Sequence, residues 1–281
     1  MITEYIRSSS AEEALLELQK GQNKAAFLAG GTEIQRLGSS VKVTKVVSLK
    51  DLKLNEISKK DDVVRIGSTV TFQQALDSSD VPQYLKEALL FMNSRPKRSV
   101  ATIGGNIALS RDDSYLMSTL IAAKARLVLG NVTQEGTYSE EDIPIREYHS
   151  FKEHFDGSLI LAIILNKPRR FVASERFAIT AQSLAALTLS FGADISSKEV
   201  RDVRIAAAIK GSGVVRLTEI EKELSGQRVV KAEDIAIHVG DDIAFVDDIT
   251  GKGSYKKYIL ATAVADLYNR CLKAIEKGGI A

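Results

Sequence analysis

Hydrophobic positions along the first half of the chain switch repeatedly between helical and strand spacing. Ser10-Ala-Glu-Glu13 is a capping box that opens a helix through Leu15 and Leu18, and Gly21 stands where that helix should end. Residues 25–29 then form a short apolar run with strand character. Two further strands are expected at 45–49 and 62–66, and Thr71-Phe-Gln-Gln74 repeats the capping-box pattern. Pro82 suits the first position of a helix whose apolar face is Leu85, Leu89 and Met92, and that helix leads to Arg95-Pro96. Ser114 can cap a helix reaching about residue 123. Residues 125–129 read as a strand closed by a Gly130-Asn131 turn, and 158–165 as a buried strand. Asn166-Lys-Pro168 breaks the pattern and places a domain boundary near 166–175. Beyond it, strands are expected at 185–190 and 202–209, a short helix after Thr218, and a long helix over 254–276. On that last helix Leu260, Val264, Leu267, Cys271 and Ile275 recur at spacings of three and four, one apolar stripe.

Two places interrupt this alternation with paired glycines: Gly30-Gly31 inside Phe27-Leu-Ala-Gly-Gly-Thr-Glu-Ile34, and Gly104-Gly105 inside Ala101-Thr-Ile-Gly-Gly-Asn-Ile107. In both, small apolar and β-prone residues feed two residues without a Cβ, and a polar side chain follows at once. This suits a strand running into a tight loop whose N–H groups converge on an anion. A single Gly-Gly reads equally well as an ordinary turn. Two in the same context favour a diphosphate cofactor held between two loops.

Composition narrows the chemistry. The 281 residues allow about two domains, each with its own core. Lys and Arg total 38 against 36 acids, a formal charge of +2, so the composition favours no nucleic-acid partner. The only compact basic run, Arg95-Pro-Lys-Arg98, reads as a solvated loop, although its place just before the second glycine pair keeps a phosphate role open. A lone cysteine, Cys271, excludes an internal disulfide and any Cys-rich iron–sulfur or zinc site, and its place on the apolar stripe assigns it to the core. No apolar run approaches the roughly 20 residues that span a bilayer. The start, Met1-Ile-Thr-Glu-Tyr, lacks the basic flank and apolar stretch of a secretory signal, so a cytoplasmic chain is expected.

Familiar catalytic motifs are missing. Gly211-Ser-Gly213 and Gly251-Lys-Gly253 lack the third glycine of a dinucleotide fingerprint, and the Gly-Lys is followed by Gly253 where a phosphate loop needs Ser or Thr. His149, His154 and His238 have no zinc-site spacing, no nucleophile elbow occurs, and Asp112-Asp113 and Asp247-Asp248 read as turn or capping acids. No catalytic side chain and no metal ligand is assigned. For an enzyme this poverty implies a cofactor that carries the chemistry.

Taken together, Leu28-Ala-Gly-Gly-Thr-Glu33 and Ala101-Thr-Ile-Gly-Gly-Asn106, with the order of elements between them, resemble the FAD-binding (medium) subunits of molybdenum hydroxylases, the group of xanthine dehydrogenase and carbon monoxide dehydrogenase. The tail, Ser254-Tyr-Lys-Lys-Tyr258 running into Val264-Ala-Asp-Leu-Tyr268, is similar to that of xanthine-dehydrogenase-like members. The resemblance implies an α+β fold: a two-part PCMH-type FAD-binding domain over 1–170, divided into about 1–52 and 53–170, then a C-terminal domain over 171–281 of a small antiparallel sheet plus helices. It implies FAD held from one side by Leu28, Ala29, Gly30, Gly31, Thr32, Glu33 and Ile34, and from the other by Thr102, Ile103, Gly104, Gly105 and Asn106.

The implied activity is electron transfer in an oxidoreductase complex, from 2Fe-2S clusters of a partner subunit through FAD to NAD+ or another acceptor. Molybdopterin and the clusters would sit in partner subunits only, an iron–sulfur subunit and a molybdopterin subunit, assembled as a dimer of heterotrimers. The chain departs from the family where relatives carry a Ser-Pro-x-x-Asp stretch. Here Ser110-Arg-Asp-Asp-Ser-Tyr115 has no proline and puts Tyr115 at the acid's place, with Asp112 and Asp113 as candidate substitutes. It departs again at Ala178-Ile-Thr-Ala181, where relatives tend to be basic. A flavin-free assembly subunit and a stand-alone FAD reductase are the alternative readings.

Overall fold

The computed structural model describes residues 2–36, 38, 39, 41–196, 199–226 and 239–276; His238 lies outside them. The chain divides into two compact units, the first made of Met1–Asp80, Ser94–Leu109 and Ala125–Asn166, the second of Val81–Asn93, Ser110–Lys124 and Lys167–Ala281. Helices and strands are numbered along the chain.

In the first unit, β1 (Glu4–Arg7), β2 (Ala25–Leu28) and β3 (Lys45–Ser48) form a parallel sheet in the order β1-β3-β2. The central strand β3 is buried at every residue, as a strand flanked on both edges should be. Helix α1 (Ala11–Gly21) connects β1 to β2. Ser10 accepts from the Glu13 amide, whereas the Glu13 carboxylate reaches back to Ser9, one residue before the cap. Ala14 and Leu15 of α1, Val47 and Leu49, and Leu159 and Leu161 make one core cluster.

The same unit holds a five-stranded antiparallel sheet in the order β4-β5-β8-β6-β7, from β4 (Ile57–Lys60), β5 (Val63–Gly67), β6 (Arg126–Val132), β7 (Tyr138–Pro144) and β8 (Leu159–Leu165). The apolar run Leu-Ile-Leu-Ala-Ile-Ile-Leu of β8 is central and almost wholly buried. One expectation needs correction: Gly130-Asn131 is no turn. Both lie inside β6, paired with Glu140 and Ser139, and the reversal comes at 133–137, where Gly136 takes φ +86°. The Tyr138 ring packs over Gly130 and fills the place of its missing side chain. Short helices α2 (Phe72–Asp77), α4 (Arg95–Arg98), α5 (Ile103–Leu109) and α7 (Ile145–Ser150) complete the unit. Helix α2 has the full capping box, Thr71 and Gln74 each accepting the other's amide.

The second unit is built on an antiparallel sheet ordered β12-β11-β10-β9, from β9 (Phe171–Ala178), β10 (Ala185–Ser196), β11 (Glu199–Ile209) and β12 (Gly213–Arg216). Strands β10 and β11 outrun the expected 185–190 and 202–209 because they continue past a register shift between Gly192 and Asp194. Helix α9 (Gly253–Glu276) packs on this sheet with Leu260, Val264, Leu267 and Cys271 fully buried and Ile275 at the margin. Each such leucine contributes about 1.5–3 kcal/mol by leaving water. Helices α3 (Gln83–Leu89), α6 (Met117–Ala122) and α8 (Thr218–Leu224) join this unit. Pro82 precedes α3 as its cap rather than as its first residue. Gly192 lets α6 approach β10, since a Cβ there would stand 2.2 Å from the Ala122 oxygen.

Candidate functional site

Strand β2 ends at Leu28 and the chain turns at once, as the apolar run followed by two glycines requires. Gly31 has φ +68°, a conformation that side chains disfavour, and it starts a turn closed by the Gln35 amide on the Gly31 oxygen at 3.0 Å. Gly30 is required for another reason: a Cβ there would lie 1.9 Å from the Val100 carbonyl oxygen and 2.9 Å from its carbon. The first loop therefore rests on the peptide that leads into the second. Ala29, Gly30, Gly31 and Ile34 are half-buried and Thr32 is exposed. The amides of Gly30, Gly31, Thr32 and Ile34 have no acceptor among the described residues. Four donors left open in one loop is the arrangement an anionic oxygen would satisfy.

The Glu33 carboxylate takes no part in that set. It accepts two bonds from Arg36, at 3.0 and 2.7 Å, and one from the Ser39 hydroxyl at 3.2 Å, so it braces its own loop and its negative charge is matched. The three-residue spacing of Glu33 and Arg36 was a usable sequence signal for this brace.

The second glycine pair differs from the expected strand and open loop. Thr102 makes an isolated antiparallel bridge with Thr71, and then α5 begins, with Gly104 and Gly105 in its first turn. The Thr102 hydroxyl and carbonyl oxygens accept from the Gly105 and Asn106 amides at 3.1 Å each, while the Ile103 and Gly104 amides donate to Val70 and Ser68 oxygens at 3.0 and 2.9 Å. All four amides are thus consumed inside the protein. Gly104 is a packing glycine, because a Cβ would meet Ser68 Cβ at 2.6 Å and the Ser68 oxygen at 2.7 Å. What this loop can offer a ligand is the open flank of Gly105 and the half-buried Asn106. A threonine three residues before a glycine was the missed cap signal. At the far end of α5 the Lys152 ammonium lies 3.4 Å from the Leu109 oxygen, a cation at a helix C-terminus, and burial lowers the Lys152 pKa.

In the second unit, neither candidate acid of the 110–115 stretch is open. Asp113 takes both bonds from Arg111, at 2.6 and 2.9 Å; burial pushes its carboxyl up, but Arg111 and Lys210 together bring it below its ordinary value. Asp112 accepts from Lys210 at 2.7 Å and from the Gly211 amide at 2.9 Å. Tyr115 lies under the Arg176 guanidinium, 5.5 Å from ring centroid to carbon. Burial raises the Cys271 thiol to about 12, as expected of a core residue. Among the described residues no group of three His, Cys, Asp or Glu is placed to hold a metal, and no helix is long and apolar enough to cross a membrane.

A parallel three-stranded sheet delivering a glycine loop with open amides, set against a second glycine turn beside an antiparallel sheet, defines an α+β cofactor-binding domain. Residues 1–168 match the family model for the FAD binding domain in molybdopterin dehydrogenase, and the chain belongs to this family. It is 31% identical to the Escherichia coli (strain K12) protein YgfM over 278 residues, 99% of each chain. It is 27% identical over 176 residues to the 6-hydroxypseudooxynicotine dehydrogenase complex subunit alpha of Paenarthrobacter nicotinovorans, covering 59% of this chain and 57% of that one. Among solved structures, a chain of reconstituted CO dehydrogenase from Oligotropha carboxidovorans superposes with a TM-score of 0.84 at 19% identity, covering 97% of this chain and 98% of that one. Quinoline 2-oxidoreductase from Pseudomonas putida 86 gives 0.83 at 15% identity, with 98% of both chains covered. At these identities the likeness is one of fold. FAD is the cofactor of the family's domain, and the open amides of the first loop fit its diphosphate.

Proposed function

We propose that this chain is the FAD-bearing electron-transfer subunit of a xanthine-dehydrogenase-type molybdenum hydroxylase complex, placed between 2Fe-2S clusters of a partner subunit and NAD+ or another acceptor. The observation that carries the reading is the set of unsatisfied amides at Gly30, Gly31, Thr32 and Ile34, in a chain whose first 168 residues match the family. Bound FAD supplies the conversion between single-electron and two-electron transfer.

The protein's own residues bind and orient. Leu28 and Ala29 bring the chain off β2, and the four amides would hold the diphosphate as donors. Arg36 and Ser39 keep the Glu33 carboxylate matched, so that it does not repel the phosphates. Thr102, Ile103 and Gly104 fix the second glycine turn by their internal bonds, and Gly105 and Asn106 would be its residues towards a bound cofactor. With one buried cysteine the chain has no Cys-rich ligand set for iron–sulfur clusters. The clusters and the molybdopterin are therefore assigned to an iron–sulfur subunit and a molybdopterin subunit, in a dimer of heterotrimers working in the cytoplasm.

The test is a visible absorption spectrum of the purified chain, with chromatography of whatever chromophore denaturation releases. Near-equimolar FAD is expected. A colourless chain that also refuses added FAD would overturn the reading in favour of a flavin-free assembly subunit. Rapid NADH-dependent turnover by the isolated chain on a soluble acceptor, with no copurifying subunits, would favour a stand-alone reductase.

A further inference from the structure

We infer that Gly30 is a positioning residue: by seating the first loop on the Val100–Ala101 peptide, it makes the two glycine loops one preassembled cradle before any cofactor binds. The inference rests on the FAD reading only for what the cradle holds; the contact itself is independent of it.

Three observations carry it. The missing Cβ of Gly30 is replaced by backbone, with the Val100 oxygen at 1.9 Å, the Val100 carbon at 2.9 Å and Ala101 Cα at 3.4 Å from where that Cβ would be. Backbone cannot swing aside as a side-chain end can. The peptide it touches is itself held. Ala101 donates to the Lys97 oxygen at 2.7 Å and accepts from the Phe72 amide at 3.0 Å; Ile103 donates to the Val70 oxygen at 3.0 Å. Finally, Gly31, which alone of the pair has a positive φ, +68°, has side-chain atoms of Leu28 and Gln35 as the three nearest to its absent Cβ, at 3.1–3.7 Å, where Gly30 has the backbone of Val100 and Ala101. The pair therefore divides its work: Gly31 makes the turn, and Gly30 docks it. A side chain at Gly30 must lift the first loop away from the second, and because coupling is reciprocal, loosening the 100–101 peptide must disturb the first turn.

The experiment uses the full chain, stripped of flavin, as wild type, Gly30→Ala, Gly31→Ala and Val100→Gly. It measures the FAD dissociation constant by flavin fluorescence and, without FAD, hydrogen exchange at single amides. Gly30→Ala is expected to weaken FAD binding by about tenfold or more and to speed exchange at Phe72, Ala101 and Ile103 in the cofactor-free chain. Gly31→Ala should leave those three amides unchanged. Val100→Gly, at an exposed side chain, should speed exchange at Gln35, whose amide closes the first turn. Weakened FAD binding with unaltered exchange at 72, 101 and 103 would overturn the clamp, because Gly30 would then act on the ligand alone. Unchanged binding and exchange would overturn it too. If Gly30→Ala does not fold, the Gln35 amide in Val100→Gly decides. If the wild type binds no FAD, the flavin reading fails while the exchange data still decide the clamp.

Discussion

At the scale of single residues, neighbouring glycines of one motif have opposite tolerances. Gly104 faces Ser68 backbone within 2.7 Å of its absent Cβ, whereas Gly105 faces only the Thr102 hydroxyl, at 2.7 Å. Gly104→Ala should cost about 1–3 kcal/mol of folding stability by overpacking. Gly105→Ala should cost under about 1 kcal/mol by the same reasoning, its effect appearing in FAD retention as the Thr102 hydroxyl gives way. Urea unfolding of both variants beside flavin content separates the two. Cys271 offers a second test. Its folded thiol, raised by burial to about 12 from an ordinary 9.0, stays neutral where the unfolded thiol ionises. Its contribution is complete below the unfolded value and is lost as pH rises toward the folded one. The stability difference between wild type and Cys271→Ala should shrink from about pH 9 towards pH 12, the window those two values set, and thiol reagents should label the chain only on unfolding.

At the scale of elements, helix α9 begins on a buried cation. Lys256, with no exposed side-chain surface, donates to the Lys210 and Val246 oxygens at 2.8 Å each and to Asp248 at 2.7 Å. Burial pushes the Asp248 carboxyl up, but Lys256 and Thr250 take it down to about 2. Lys256→Met leaves two carbonyls and a carboxylate without their donor, a loss of about 2–3 kcal/mol once the partial exposure of Asp248 is allowed for. Because the folded pKa of Asp248 is depressed, its share of stability is present above the unfolded value of 3.8 and fades as pH falls toward 2. The variant should keep a shallower acid limb, because the Thr250 amide and hydroxyl still donate to Asp248, and unfolding curves at pH 6 and pH 3 would show the reduced difference. The elements legible in the sequence were those whose own pattern matched their burial. Helices α1, α2 and α9 declared themselves by caps or stripe, and β8 by its apolar run. Strand β7 was illegible because an edge strand in water carries no alternation, and Ser139, Glu140, Glu141 and Asp142 are all exposed. Gly130 misled because a glycine under a tyrosine ring has the sequence signature of a turn.

At the scale of the whole molecule, a ligand that binds only the folded chain stabilises it by mass action. FAD at a hundred times its dissociation constant should add about 2.7 kcal/mol, with a melting temperature that rises with FAD concentration. The added protection should be greatest at the amides of Gly30, Gly31, Thr32 and Ile34, which have no acceptor among the described residues without it. A thermal shift independent of FAD concentration would contradict this. The division into an FAD-binding part over 1–170 and a C-terminal part over 171–281 is a proposal at the same scale. Limited proteolysis of the FAD-loaded chain tests it, since a stable flavin-bearing fragment ending near 170 is the expected product.

Sequence by itself determined the two glycine pairs, the family they belong to, and the helix that carries Cys271 inward, because each is written in local spacing and residue type. Only the tertiary structure decided what the glycines do. Whether a missing Cβ admits a ligand, a carbonyl or a serine depends on what the chain brings opposite it. Val100 stands 70 residues beyond Gly30, and Ser68 lies 36 before Gly104. The sequence has no local record of such meetings, and for the same reason it could not show that Asp112 is already bound to Lys210, 98 residues on.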